Sequence, residues 1–184
     1  MSTVSRLSTP PYDDMSPEQQ RVHDLIVSGP RGELRGPFAA WLVNPDFAER
    51  AQTLGEYCRF KTTLSKDLAE LAICVTGAHY KSEFEWWAHA GFARDAGVSD
   101  AILDAIRTGA DPDFTDLKQQ PVYRTAIALN RRHRLSDEEF ATAKQHLGED
   151  GLVDVIGLCG YYALVSLTLN TYQMPTPDGS TAFS

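Results

Sequence analysis

Residues Ser65 to Gly97 read SKDLAELAICVTGAHYKSEFEWWAHAGFARDAG, and this stretch decides the fold. It divides into two helices joined by a short bend. Around and within the first, Leu64, Leu68, Leu71 and Val75 are spaced as one helical face. Glu70 sits among Ala69, Leu71, Ile73 and Cys74, so its carboxylate is expected to face protein rather than water. The second helix is predicted to begin near Ser82 and to end before Gly97, a residue suited to the left-handed position just past a helix. Glu85 and His89 then share one face, with Trp86 and Phe92 three residues to either side of the histidine. A carboxylate and an imidazole held together among aromatic rings are unusual on an ordinary core helix. They mark the candidate active site.

Working outward, helix signals recur along the chain. Ser16-Pro17-Glu18-Gln19 joins an N-cap to a first-turn proline and predicts a helix to about Ser28. Gly29-Pro30-Arg31-Gly32 breaks it, and Arg35-Gly36-Pro37-Phe38 leads into a short amphipathic piece with Trp41 and Leu42. Asn44-Pro45 opens the next helix, which runs through Cys58. Beyond Gly97, Ser99 caps a short helix ending at Gly109, and the segment ADPDFTD reads as a loop. Further helices are predicted from Gln120 to His133, from Ser136 to Gly148, and from about Asp150 to Tyr172. No stretch alternates convincingly enough to require a strand. The expected fold is therefore all-α, a single-domain helical bundle over residues 16–172. An N-terminal arm (1–15) and a C-terminal tail (173–184) flank it, the tail being either an ordered arm or disordered.

Composition narrows the function. A chain of 184 residues suffices for one sizeable core, and 42% apolar content suits a soluble globular protein. A net charge of −8 argues against nucleic acid or an anionic membrane as partner. It leaves room for a small anionic substrate, which needs only one or two local arginines. Cys58, Cys74 and Cys159 lie in separate apolar helical contexts, so buried free thiols in a reducing compartment are expected. The first residues lack the apolar core of a secretory signal, and the expected location is cytoplasmic. The apolar run Leu152–Leu169 carries Asp154 and has no basic flank, so it reads as a buried helix rather than a membrane span.

The pattern Glu70, an apolar run, Ser82-x-x-Glu85-Trp86-x-x-His89, then Ala93, Gly97 and Ser99 resembles the carboxymuconolactone decarboxylase family. That family shares its helical fold with the alkylhydroperoxidase-D-like proteins. The specific likeness covers roughly residues 64–108, with a weaker one in the RGP and LGEYCRF segments upstream. The peroxidase branch carries a Cys-x-x-Cys pair where this chain has Ser82 and Glu85. Thiol–disulfide chemistry needs an attacking and a resolving sulfur, so this departure points to the decarboxylase-like branch. The resemblance implies trimers or hexamers, no cofactor, and loss of CO₂ from a small carboxylated lactone or related unsaturated acid. His89 would be the proton donor or oxyanion stabiliser, Glu85 its partner and Glu70 a proton-shuttling carboxylate, with their roles exchangeable.

Each residue also has a plainer reading. Ser82-x-x-Glu85 is equally a capping box. Glu70 could be a buried carboxylate paired with an arginine such as Arg59. His79, Glu85 and His89 offer ligand types for a metal, but no dense ligand motif is present. Arg31, Arg35 and Arg59 could each hold a substrate carboxylate, and Arg35 ranks first. Trp86 and Trp87 point to different sides of their helix, so one is core and the other lines a pocket or an interface. The substrate-binding set expected from sequence is Arg35, Trp86, Ser82 and His79. The alternatives to a decarboxylase are a ligand-binding oligomer of the same fold and a redox protein using a remaining cysteine.

Overall fold

Eight α-helices form the regular structure of the computed structural model, which describes residues 5–183. Residues 1–4 of the expected arm and residue 184 of the expected tail lie outside that range. The helices are α1 (Pro17–Ser28), α2 (Pro37–Trp41), α3 (Pro45–Phe60), α4 (Lys66–His79), α5 (Glu83–Asp95), α6 (Asp100–Thr108), α7 (Gln119–Arg132) and α8 (Asp137–Thr171). Their starts follow the caps legible in sequence. Ser16, Asn44, Ser99 and Ser136 each accept a hydrogen bond from a first-turn amide, and Ser16 closes its box with Gln19. Gly97 (φ 106°) and Gly109 (φ 79°) take the positive φ that ends α5 and α6. Gly148 (φ 72°, ψ 177°) is non-helical, so α8 is two helices meeting at a kink, with the break where the sequence places a helix end.

The centre of the bundle is α4, which packs against α5, α6, α7 and α8. Every residue from Glu70 to Gly77 is buried. The sequence reading gave α4 one buried face and took the last apolar run as a buried helix; within one chain the burial of α4 goes further than expected and that of α8 is partial. Neighbours enclose α4, whereas α8 buries Leu152, Val155, Leu158, Tyr162 and Leu169 and leaves Val153, Ile156 and Leu167 exposed. By length and composition α8 could cross a membrane, yet 56% of its apolar window is buried inside the fold. Asp154, the charge in that run, is satisfied rather than orphaned. It accepts from Tyr57 Oη at 2.6 Å, Thr63 N at 2.6 Å and Thr63 Oγ1 at 2.7 Å, which ties α8 to the end of α3.

The C-terminal segment is an ordered strap over the start of α5. Glu83 accepts the amides of Ala182 at 2.5 Å and Phe183 at 3.1 Å, and Asp178 accepts Trp87 Nε1 at 2.9 Å. The Phe183 ring packs edge-on against Trp86, 5.5 Å between centroids.

Candidate active site

Helices α4 and α5 bring together the three residues singled out in the sequence. The helices pack closely at Gly77, where a Cβ would stand 3.4 Å from Glu85 Cγ, in ordinary contact. Glu70, Glu85 and His89 are 1%, 4% and 7% exposed. His89 Nδ1 lies 2.7 Å from Glu70 Oε2, and Nε2 lies 3.0 Å from Glu85 Oε1. The contact with Glu70 is a good hydrogen bond. That with Glu85 is an ion pair out of line for one, and it leaves Glu85 Oε1 without a hydrogen-bond partner. The other oxygen of Glu70 accepts from Arg59, the pairing expected of a buried carboxylate. A row of alternating charge results: Arg59, Glu70, His89, Glu85.

Electrostatics favour the charged imidazole. Burial pushes His89 toward neutrality, but Glu85 and Glu70 outweigh it and raise the pKa to about 9. For Glu70 burial raises the pKa, while His89 and Arg59 more than offset it and hold the carboxyl below its usual range. The Tyr162 ring meets His89 edge-on with centroids 4.9 Å apart, and Phe92 meets it at 5.8 Å.

This row opens onto a cavity of about 450 Å³. Phe38, Phe60, Phe84, Trp87, Phe92 and Tyr162 supply aromatic wall, and Glu85, His89, Tyr161 and three arginines supply polar groups, with Glu33 and Asp95 as two further carboxylates. Glu70 stands behind the imidazole, off the wall. Arg59 lies 4.4 Å over the Phe92 ring, and Arg31 lies 4.4 Å over Phe38. Arg35 reaches the wall but is over half exposed and pairs with Glu33 at 3.2 Å.

The expected substrate-binding set is only partly assembled. Ser82 is fully buried, its hydroxyl has no partner, and it neither caps α5 nor reaches the cavity. Trp86 is turned inward against Phe183, and its neighbour Trp87 takes the wall position. The rotation of α5 that turns Glu85 and His89 together toward the cavity, with the His89 ring against Glu70 of α4, fixes both outcomes. His79 ends α4 and lines a separate hollow with Lys81, Arg107 and Arg131, where burial and nearby Arg131 lower its pKa. Arg31, ranked below Arg35 from sequence, and Tyr161, not considered there, both belong to the wall. The signal for Tyr161 is a phenol inside an apolar helix, which needs somewhere to place its hydroxyl.

The thiols take no part in the cavity. Cys58, Cys74 and Cys159 are free and buried, and burial raises all three, Cys58 and Cys159 to about 11. Among the described residues no three His, Cys, Asp or Glu side chains are grouped so as to hold a metal ion.

No family model matches the sequence, and no curated protein does. Solved structures do match over nearly the whole chain. A peroxidase-related protein of uncharacterized function with an alkylhydroperoxidase AhpD core, from Ralstonia eutropha JMP134, superposes with TM-score 0.76 at 16% identity, covering 98% of this chain and 97% of that one. An uncharacterized peroxidase-related protein from Silicibacter sp. TM1040 gives 0.74 at 15%, covering 98% and 96%. The debrominase Bmp8, a cysteine-to-alanine variant in complex with 2,3,4-tribromopyrrole, gives 0.69 at 14%, covering 92% of each chain. The chain thus has the AhpD-like fold that its sequence resemblance implied. A shared fold at such identity leaves function to the site.

Proposed function

We propose that this chain is a cofactor-independent enzyme that removes CO₂ from a small carboxylated lactone or related unsaturated acid and delivers a proton to carbon. The observation that carries this reading is the buried row Arg59–Glu70–His89–Glu85, which ends on the wall of an aromatic cavity. Loss of CO₂ leaves an electron pair that flows through a conjugated alkene into the lactone carbonyl. The dienolate then needs stabilisation at oxygen and a proton at carbon. Nδ1 of His89 is tied to Glu70, so the proton is passed at the Nε2 end, beside Glu85. An imidazolium that persists to about pH 9 enters the reaction as an acid. Glu70 acts from behind, orienting the ring and supporting its charge. The aromatic wall suits a planar conjugated acid.

Buried, protonated thiols lend no support to a redox reading and fit a reducing cytoplasm. The same reading makes the chain a homotrimer or homohexamer, and exposed Val153, Ile156 and Leu167 on α8 support a contact there. Sedimentation at micromolar concentration tests this, and a stable monomer removes it. The catalytic reading is tested by CO₂ release from a panel of carboxylated butenolides. His89→Gln is expected to keep the helical circular dichroism and lower turnover by about 10²–10⁴-fold. Acids that bind without CO₂ release would favour a ligand-binding oligomer instead.

A further inference from the structure

The three arginines on the cavity wall differ in how their charge is met. Arg35 pairs with Glu33 and Arg59 with Glu70, whereas Arg31 has no carboxylate within ion-pair distance among the described residues. The Arg31 guanidinium lies 4.4 Å over Phe38 and 5.8 Å from the centre of Phe60, so two aromatic rings flank it. Its Nε and Nη2 are buried without a hydrogen-bond partner, and so is the phenol oxygen of Tyr161. Orphaned buried donors are costly, a charged one most of all. Gly55 on α3 makes room for both groups. A Cβ there would stand 2.0 Å from Tyr161 Oη and 2.8 Å from Arg31 Nη2. Burial keeps the phenol protonated against the pull of Arg31, so it remains a donor.

We infer that Arg31 and Tyr161 form an oxyanion subsite of the cavity, one that receives the enolate oxygen generated as CO₂ leaves. The identity of that oxyanion rests on the decarboxylase reading; the capture of a planar anion does not. Donors on the departing carboxylate would stabilise the ground state, because charge drains from that group on the way to CO₂. Donors on the lactone carbonyl gain strength as charge arrives. The C–C bond to the carboxylate breaks, and its electron pair moves through the alkene to the carbonyl oxygen. When the carbonyl re-forms, the pair returns to carbon and takes the proton from the His89–Glu85 end. No oxidant or reductant is involved.

The test uses tetronate, a planar five-membered lactone enolate, and γ-butyrolactone, a neutral ring of the same size, titrated by calorimetry into the whole protein. Wild type should bind tetronate at least tenfold more tightly than the neutral ring. Arg31→Met should lose about 10- to 100-fold in tetronate affinity, the range for a hydrogen bond to a charged group, and nothing toward γ-butyrolactone. Tyr161→Phe should lose about tenfold or less, and Arg35→Gln less than either. Arg31→Lys keeps the charge, loses the fork, and should lose about tenfold, which guards against a Met variant that fails to fold. Equal wild-type affinity for the two rings overturns the subsite, as does tetronate affinity unchanged in both Arg31→Lys and Tyr161→Phe. If tetronate binding depends on Arg31 yet no lactone acid releases CO₂, the oxyanion site stands and the decarboxylase reading falls.

Discussion

Helices α5 and α8 open with the same signature and use it in opposite ways. At α8, Ser136 accepts from Glu139 N at 3.2 Å, and Glu139 reaches back to Ser136 N at 2.8 Å, a closed capping box in solvent. At α5 the same spacing, Ser82 to Glu85, closes nothing. The Ser82 hydroxyl is buried and unpartnered, Glu83 holds the tail amides, and Glu85 turns to His89. A capping residue contributes about 1 kcal/mol. Glu85 gives up that capping bond and lies instead 3.0 Å from His89 Nε2. The difference teaches that a helix start lacking its expected cap is a place to look for chemistry.

The widest separation between the two helices should be their response to pH. The pKa of His89 is raised in the fold, so its protonation favours the folded state. That contribution is full below the unfolded value near 6.5 and is lost as pH rises through about 9. The shift corresponds to about 3 kcal/mol, to be read as the alkaline fall in urea-unfolding stability that His89→Gln removes. Glu139 has the opposite sign. Its pKa is lowered, by the backbone bond at Ser136 first and Arg132 next, so its smaller contribution is lost at acid pH. A wild-type curve flat from pH 6.5 to 9.5 would break the contrast.

Carboxamides come next. Glu85→Gln should lower turnover at pH 8 by about twofold to 100-fold, because removing an adjacent charge drops an imidazole pKa by roughly one to three units from its value of about 9. Glu139→Gln should leave turnover unchanged. The smallest effect is the cleanest. Ser136→Ala should cost about 1 kcal/mol in equilibrium unfolding, whereas Ser82→Ala should cost nothing or stabilise slightly, its hydroxyl having no bond to lose. Equal losses at the two serines would mean that α5 is capped after all.

Most of the helix boundaries were legible because caps, prolines and terminal glycines act within four or five residues. Glu70, Glu85 and His89 were legible for a related reason. Two share a helix face, and the third is a carboxylate in an apolar run, which demands a cation such as Arg59. What escaped was rotation and assembly. Whether Trp86 or Trp87 faces the cavity depends on how α5 is turned, and the strap from Asp178 to Phe183 helps set that from far along the chain. His79 sits at a helix end, where direction is not fixed by period. Arg31 was one of three candidate arginines in the sequence and stood below Arg35, since nothing near it in the chain marks a Gly-Pro turn as part of a site. Its significance appears only once Phe38, Gly55 and Tyr161, from three other helices, close around it.

The split between the adjacent tryptophans also gives the protein an optical gauge. Trp41 is bonded to Thr168 in the core and Trp86 is sealed against Phe183, so both indoles keep constant surroundings. Trp87 alone stands on the cavity wall, partly open and anchored by its ring N–H. A guest arriving beside it changes the polarity around one emitter of three, and the fluorescence of the unlabelled protein reports that the cavity is full.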